Sequence, residues 1–140
     1  MLFKSVGQIR IHRESWLAVH ACTDLGRYYR KGFNWIHRFE NFKIGDTKWG
    51  PHISIVRSEP STNIDFLQTL HETEIEFEYE PVYRTNGRHV WFNVFCERAF
   101  EIRKTLLLPE PPIFNLHLTL GVYHREHEND MTQLTLIDTI

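Results

Sequence analysis

The chain has 140 residues, of which 41% are hydrophobic and 24% are charged, a composition typical of a soluble, single-domain globular protein. Its formal net charge of −2 argues against stable binding to duplex nucleic acid through the phosphate backbone. The apolar runs are far shorter than the roughly 18 residues that span a bilayer, and the N-terminus lacks the apolar core of a signal peptide. We therefore expect a cytoplasmic protein with no membrane partner, in which Cys22 and Cys96 are free, buried thiols.

Alternation of apolar and polar residues predicts strands, and apolar residues at helical spacing predict helices. The expected strands are 8–13, 15–21, 52–57, 72–80, 89–95, 113–120 (closed by Gly121) and an edge strand at 134–137. The expected helices are 24–39, 63–71 and 97–107, the first capped by Thr23 or Asp24. Residues 41–50 form a polar connection, and Asn86-Gly87 predicts a hairpin turn. Five glutamates alternate with apolar residues along 72–80, so one face of that strand must be solvated, as in an antiparallel sheet.

These elements contain a weak internal repeat. A strand (15–21), a helix (24–39) and a strand that opens with His52 are followed later by a strand (89–95), a helix (97–107) and a strand that contains His117. The repeat predicts one domain over 1–140 built of two similar lobes, about 1–60 and about 61–140, that face one cleft. Each lobe would deliver one histidine to that cleft.

The two histidines open matching tetrapeptides, His52-Ile53-Ser54-Ile55 and His117-Leu118-Thr119-Leu120. Residues i and i+2 of a strand share a face, so each segment places an imidazole and a hydroxyl on one side and two aliphatic side chains in the core. From the numbers of His, Ser/Thr and Ile/Leu/Val in the chain, about 0.24 matches to this pattern are expected by chance. Two matches in repeated context therefore indicate a site.

Such a pair suits phosphodiester cleavage without a metal ion. One neutral imidazole takes a proton from water or a ribose hydroxyl, and an imidazolium opposite protonates the departing oxygen. The hydroxyls of Ser54 and Thr119 would donate hydrogen bonds to the non-bridging oxygens of the phosphate. This chemistry requires the two imidazoles to meet across one solvent-accessible pocket. Which histidine is the base and which is the acid stays open at this point.

The paired motifs resemble those of the 2H phosphoesterase superfamily, and the segments 49–57 and 116–121 are similar to those of small bacteriophage-encoded members. The resemblance implies a pseudo-symmetric, two-lobed α+β fold, with antiparallel sheets lining a central cleft and helices outside. It implies His52 and His117 as catalytic residues, Ser54 and Thr119 as phosphate-binding residues, and no metal or other cofactor. Ser54 departs from the commoner threonine but keeps the hydroxyl donor.

The activity implied is metal-independent hydrolysis of a cyclic oligonucleotide, a 2′,5′ linkage or a 2′,3′-cyclic phosphate. The spacing of the two motifs is short and leaves no large substrate-binding insertions, which favours a small nucleotide over a long RNA. Phage members of this kind degrade cyclic-nucleotide signals of host immunity, and the resemblance implies the same setting, in the host cytoplasm, for this chain.

Four further residues are candidates for substrate binding: Tyr28, Trp49, Arg57 and Tyr123. Trp49 just precedes the first motif and Tyr123 follows the second, where either ring would stack on a base or pack in the core or at the rim. Tyr28 would lie at the mouth of the cleft. Arg57, at i+5 from His52, faces the opposite side unless the strand bends after Val56. It would clamp a phosphate from the strand end or be a surface charge. Trp91 is expected in the core.

Two other functions remain open from the residues alone. A module that binds a nucleotide or an RNA end without turnover would use the same cleft, and the excess of basic residues in 1–60 (ten Lys/Arg against five Asp/Glu) fits it. A metal-dependent hydrolase built from the nine histidines ranks last, because the sequence has no ligand cluster of recognised spacing.

Overall fold

The computed structural model describes residues 1–12, 16–57, 64–109, 112 and 115–125. Its strands are β1 (Phe3–His12), β2 (Trp16–His20), β3 (Phe42–Gly45), β4 (His52–Arg57), β5 (Glu74–Tyr79), β6 (Arg84–Thr85), β7 (His89–Phe95) and β8 (His117–Arg125). Its helices are α1 (Thr23–Ile36), α2 (Ile64–Leu70) and α3 (Glu97–Thr105). The edge strand expected at 134–137 lies outside the described residues.

The strands form one eight-stranded sheet in the order β3-β8-β4-β2-β1-β5-β7-β6, where separate sheets were expected. An additional pairing joins β7 to β8, so that β8, β4, β2, β1, β5 and β7 close a ring. Every pairing between described strands is antiparallel. The coarse expectation of an α+β fold with antiparallel strands is confirmed, and β8 pairs with β3, β4 and β7.

The glutamate-rich strand behaves as its alternation predicts. Ile75, Phe77 and Tyr79 are buried in the core, while Glu74 and Glu76 are exposed. The aliphatic residues of both histidine motifs join the same buried cluster. Helix α1 packs against β3 and β8, α2 against β1, and α3 against β4.

Three strand boundaries differ from those expected. β1 begins at Phe3 because residues 3–7 pair with β5, although small Ser5 and Gly7 weaken the apolar signal on their side. The short β3 falls in the segment expected to be a polar connection and pairs with the far end of β8. β8 starts at His117 and continues through Gly121 to Arg125, where the lack of a side chain on Gly121 lets the backbone of β3 approach. A Cβ at position 121 would lie 2.7 Å from the Gly45 carbonyl oxygen.

Helix α1 also departs from expectation. Its N-cap is Cys22, which makes no side-chain capping bond, so neither Thr23 nor Asp24 caps it. Both cysteines are free, as expected, but Cys22 is exposed and only Cys96 is buried. Among the described residues, no helix has the length and apolarity needed to cross a membrane.

Candidate active site

The two histidine motifs lie side by side. β4 and β8 pair with His52 opposite Thr119 and Ile53 opposite Leu118. In this antiparallel register His52 and His117 share a face and are diagonal neighbours, a relation in which Cα atoms are typically about 7–8 Å apart. The four aliphatic residues of the motifs are buried on the other face, as expected: Ile53, Ile55, Leu118 and Leu120.

Each imidazole is held by the same local bond. His52 Nδ1 donates to the carbonyl of Gly50 at 2.7 Å, and His117 Nδ1 donates to the carbonyl of Asn115 at 2.8 Å. In both cases the acceptor lies two residues before the histidine. A carbonyl only accepts, so both rings carry their proton on Nδ1 when neutral and keep a lone pair on Nε2. That tautomer leaves Nε2 able to accept a proton.

The loop before β4 prepares the first of these carbonyls. Gly50 has φ of +72°, a conformation that side chains with a Cβ rarely adopt. Its carbonyl also accepts a bond of 2.7 Å from the Thr47 hydroxyl, and its N–H donates to the Thr47 carbonyl at 3.1 Å. The tight turn therefore aims one carbonyl oxygen at His52.

The strand pairs that carry the motifs have matching registers. In the first ladder, β4 with β2, His52 faces His20 and Ser54 faces Ala18. In the second ladder, β8 with β7, His117 faces Asn93 and Thr119 faces Trp91. Each ladder then shifts by one residue, between Leu17 and Ala18 in the first and between Val90 and Trp91 in the second.

The extra residue of each β-bulge is the last aliphatic residue of its motif, Ile55 in β4 and Leu120 in β8. A bulge inserts one residue and so reverses which later side chains share a face. Arg57 is thereby returned to the face of His52, and its Nη2 lies 3.4 Å from His117 Nε2. The irregularity that returns Arg57 to the site therefore lies at Ile55, where the expected position was after Val56.

The same change of phase turns Tyr123 away from the site. Its ring stacks on Phe42 with centroids 4.9 Å apart and meets Phe33 of α1 edge-on at 6.0 Å. Tyr28, the other tyrosine expected near the cleft, is 70% exposed on α1 and contacts the edge of Tyr29. Neither tyrosine lines the cavity beside His117.

A buried arginine supports the bulge of β4. Arg103 of α3 is 0% exposed, and its Nη1 donates to the Ile55 carbonyl at 2.8 Å. Its Nε donates to the Pro109 carbonyl at 2.9 Å. The guanidinium thus bonds the backbone of the extra residue, at the point where the regular ladder is interrupted.

The hydroxyl of Ser54 is available as a donor. Trp16 Nε1 donates to Ser54 Oγ at 3.4 Å, which occupies an oxygen lone pair and leaves the hydroxyl proton free to bond another acceptor. Ser54 and Thr119 are each 6% exposed, so their oxygens act in a largely desolvated setting. Hydrogen bonds to a developing negative charge are stronger in such a setting than in water.

Burial sets the protonation of both imidazoles. It lowers the pKa of His52 from 6.5 to about 4, against the opposing effect of the bond to the Gly50 carbonyl. Burial also lowers the pKa of His117, with a further lowering by the charge of Arg57. The charge of His117 in turn lowers the pKa of His52, as expected for two imidazoles close together. The lowered pKa values favour the neutral form of both rings at pH 7.

The cavity at the site lies on the His117 side. Its volume is about 440 Å³, and its lining includes Arg57, Trp91, Asn93, His117 and Thr119. His52 and Ser54 do not line it. The expectation of two solvent-accessible imidazoles is therefore correct for half-buried His117 and wrong for His52, which is 2% exposed.

Trp49 covers the His52 side of the same face. Its ring stacks on His12 with centroids 4.1 Å apart and lies edge-on to His52 at 5.3 Å. His12 Nε2 and His20 Nε2 are 2.6 Å apart and share a hydrogen bond. Burial lowers the pKa of His20 to about 4, followed by the effect of the charge of His12. Trp49, His12 and His20 thus occupy the space beside His52, whereas the space beside His117 is an open cavity.

Several residues at the site were not predicted from sequence. Trp91 was expected in the core but is half-buried in the cavity wall, because it alternates with Asn93 on the face of β7 that pairs with Thr119 and His117. The sequence shows the alternation of residues 89–95, but it does not show which face of that strand lies beside the second motif. Arg103 had no signal, since a basic residue on a helix is usually exposed.

No group of three or more His, Cys, Asp or Glu side chains in the described part of the chain is arranged to hold a metal ion. Comparisons with protein-family models, with curated proteins and with solved structures find no match to this chain.

Proposed function

We propose that the protein is a metal-independent phosphodiesterase of the 2H type that cleaves a small nucleotide. The candidate substrates are a cyclic oligonucleotide, a 2′,5′ linkage and a 2′,3′-cyclic phosphate. The observation that carries the proposal is the matched pair of motifs: two imidazoles on paired strands, each held through Nδ1 by the carbonyl two residues earlier, each followed by a buried bulge residue.

The register supports a pseudo-symmetric, two-lobed fold. Consider a two-fold axis that is perpendicular to an antiparallel ladder and passes between two directly opposed residues. Rotation about this axis superimposes each strand on the other with the same chain direction. An axis between Ile53 and Leu118 relates His52 to His117 and Ser54 to Thr119. The neighbouring strands β2 and β7 and both bulges follow the same relation. A phosphate on this axis would be approached by equivalent groups from both sides.

The mechanism follows from the tautomers. The Nε2 lone pair of one histidine accepts a proton from the attacking water or ribose hydroxyl, and the protonated Nε2 of the other donates to the leaving oxygen. The hydroxyls of Ser54 and Thr119 donate to the non-bridging oxygens as negative charge develops. Bound phosphate stabilises an imidazolium, which raises the low pKa of the acid toward the working pH.

Access to His52 requires one rearrangement. Because His52 is 2% exposed, a phosphate reaches its Nε2 only when a neighbouring side chain moves. Arg57 is the candidate, since its Nη2 lies 3.4 Å from His117 Nε2 and its charge lowers the pKa of both histidines. A phosphate offers Arg57 stronger, charge-assisted bonds than a neutral imidazole does.

The test is chromatography of a substrate panel after incubation with wild type and with the His52→Ala/His117→Ala double variant. The panel holds cyclic dinucleotides and trinucleotides, 2′,5′-oligoadenylates and 2′,3′-cyclic nucleotides. We expect wild type to cleave at least one compound with EDTA present, and the double variant to be inactive. Cleavage of no compound, or equal cleavage by the double variant, would overturn the proposal.

A nucleotide-binding module without turnover is the second candidate, and the low exposure of His52 favours it. It predicts that a compound from the panel binds the protein and is recovered chemically intact. The same chromatography, after release of bound ligand, separates the two functions.

A further inference from the structure

The cavity beside His117 is larger than a phosphate group requires. Its volume of about 440 Å³ falls in the range of small-molecule sites. Of the described residues that line it, none is acidic. Arg57, Arg84 and His117 supply groups for an anion, and Trp91, Asn93 and Asn115 give the lining a neutral part that suits another group.

An aromatic side chain stands next to the phosphate groups. Trp91 is the cross-strand partner of Thr119, and its ring lies 5.7 Å from that of His117. The ring is half-buried and lines the cavity. A base attached to a sugar whose phosphate contacts Thr119 and His117 would come within reach of this indole face. Stacking on such a face tolerates any base.

Amide groups surround the indole. Asn93 shares the face of Trp91 on β7, and Asn115 precedes the second motif; both line the cavity. Among the described residues, neither side-chain amide has a hydrogen-bond partner. A third asparagine of the cavity, Asn86, differs because its side-chain Oδ1 already accepts hydrogen bonds from the backbone N–H groups of Arg88 and His89. An amide offers both a donor and an acceptor, the groups that base edges present.

On the His52 side of the described structure, the position that is equivalent to the cavity is filled by side chains. In the first ladder the partner of Ser54 is Ala18 in place of a tryptophan, and Trp49 stacks on His12 beside His52. Among the described residues the two sides of the proposed phosphate position therefore differ, and the cavity with room for a base lies on the His117 side.

We propose that the cavity lined by Trp91, Asn93 and Asn115 is a single nucleobase subsite, so that the protein recognises the base on one side of the phosphate only. The inference rests on the proposed function for the position of the phosphate. It goes further in assigning base recognition to β7 and to Asn115, two residues before β8.

The test is binding of compounds that carry no cleavable diester, measured by calorimetry: the four nucleoside 3′-monophosphates and ribose 5-phosphate. We expect the nucleotides to bind wild type at least about 5-fold more tightly than ribose 5-phosphate. The variant Trp91→Leu should lose about 5- to 150-fold in nucleotide affinity, the range of one stacking interaction, with ribose 5-phosphate affinity unchanged. Trp91→Phe should restore most of the loss. Trp35→Leu, at an exposed tryptophan of α1, is the matched control and should change nothing.

Equal wild-type affinity for nucleotides and ribose 5-phosphate would overturn the subsite, as would an equal loss for both ligands in Trp91→Leu with its melting temperature unchanged. If Trp91→Leu melts at a lower temperature than wild type, Asn93→Ala is the second test. This variant must then lower the affinity for nucleotides and leave the affinity for ribose 5-phosphate unchanged. Base-dependent binding without cleavage of any diester supports the subsite and refutes the proposed function. Cleavage of a diester with no effect of Trp91→Leu refutes the subsite alone.

Discussion

Replacement of Arg103 by methionine tests whether the bulge of β4 depends on the buried guanidinium. Arg103 is 0% exposed and donates to the carbonyls of Ile55 and Pro109. Methionine fills most of the same volume and provides no donor. The change therefore removes these two bonds and leaves the buried Ile55 carbonyl without this partner, whereas Pro109 is exposed and its carbonyl can bond to water.

The magnitude follows from the Ile55 carbonyl. Leaving one buried acceptor unsatisfied costs about 1–3 kcal/mol. Removing a buried charge returns part of this cost, because the guanidinium no longer has to be desolvated. We expect a net loss of about 1–3 kcal/mol in the free energy of unfolding, with urea slopes of about 2 kcal/mol/M giving a midpoint lower by about 0.5–1.5 M.

The assay is urea unfolding followed by circular dichroism. The matched control is Arg98→Met on the same helix, where the arginine is half-exposed and pairs with Glu101; we expect a change below about 0.5 kcal/mol. If Arg103→Met unfolds within that margin of wild type, the guanidinium does not support the bulge and the reasoning fails.

Three further predictions concern the histidine motifs. Burial lowers the pKa of His52 from 6.5 to about 4, so the free energy of unfolding should be highest above pH 6.5 and fall as the pH drops toward 4. Measurement of the unfolding free energy at pH 7 and pH 5 checks this, and equal values would contradict it. The pH profile of kcat/KM should be bell-shaped with its optimum on the acid side of 6.5, since it reports the depressed pKa values of the free enzyme; an optimum above 7 would contradict this assignment. Gly50→Ala and Gly87→Ala should each cost about 1–2 kcal/mol, because both positions have positive φ and open space for a methyl group. Only Gly50→Ala should also lower kcat/KM, through the carbonyl that orients His52, and an equal activity loss in both would refute that role.

The part of the site that depends on short-range alternation was predictable from sequence. His52 and Ser54 share one face with Ile53 and Ile55 buried beneath, and the second motif repeats the pattern, because side chains in a strand alternate with a period of two. The helix and hairpin positions followed from similar local signals. Gly87 has φ of +86°, as the Asn86-Gly87 turn requires.

The parts that depend on bulges and strand neighbours were not predictable. A bulge at Ile55 or Leu120 changes the phase of alternation, and no residue type in either motif marks it. Arg57 thus joins the site and Tyr123 leaves it for reasons that appear only when the ladders are formed. The role of Trp91 likewise depends on β7 lying next to β8, a long-range pairing. Trp49 and the burial of His52 depend on β1 and β2.

The central claim is that His52 and His117 act as one acid–base pair on a single phosphate. The most direct measurement is kcat/KM for a diester that wild type cleaves, in His52→Ala, His117→Ala and the double variant, with His37→Ala on α1's C-terminal end as the control. We predict losses of about 10²–10⁴-fold or more in each single variant and a double-variant loss well below the product of the two, because residues that act as a unit are not additive. His37→Ala should match wild type. Wild-type kcat/KM in either single variant, with the fold intact, would contradict the account.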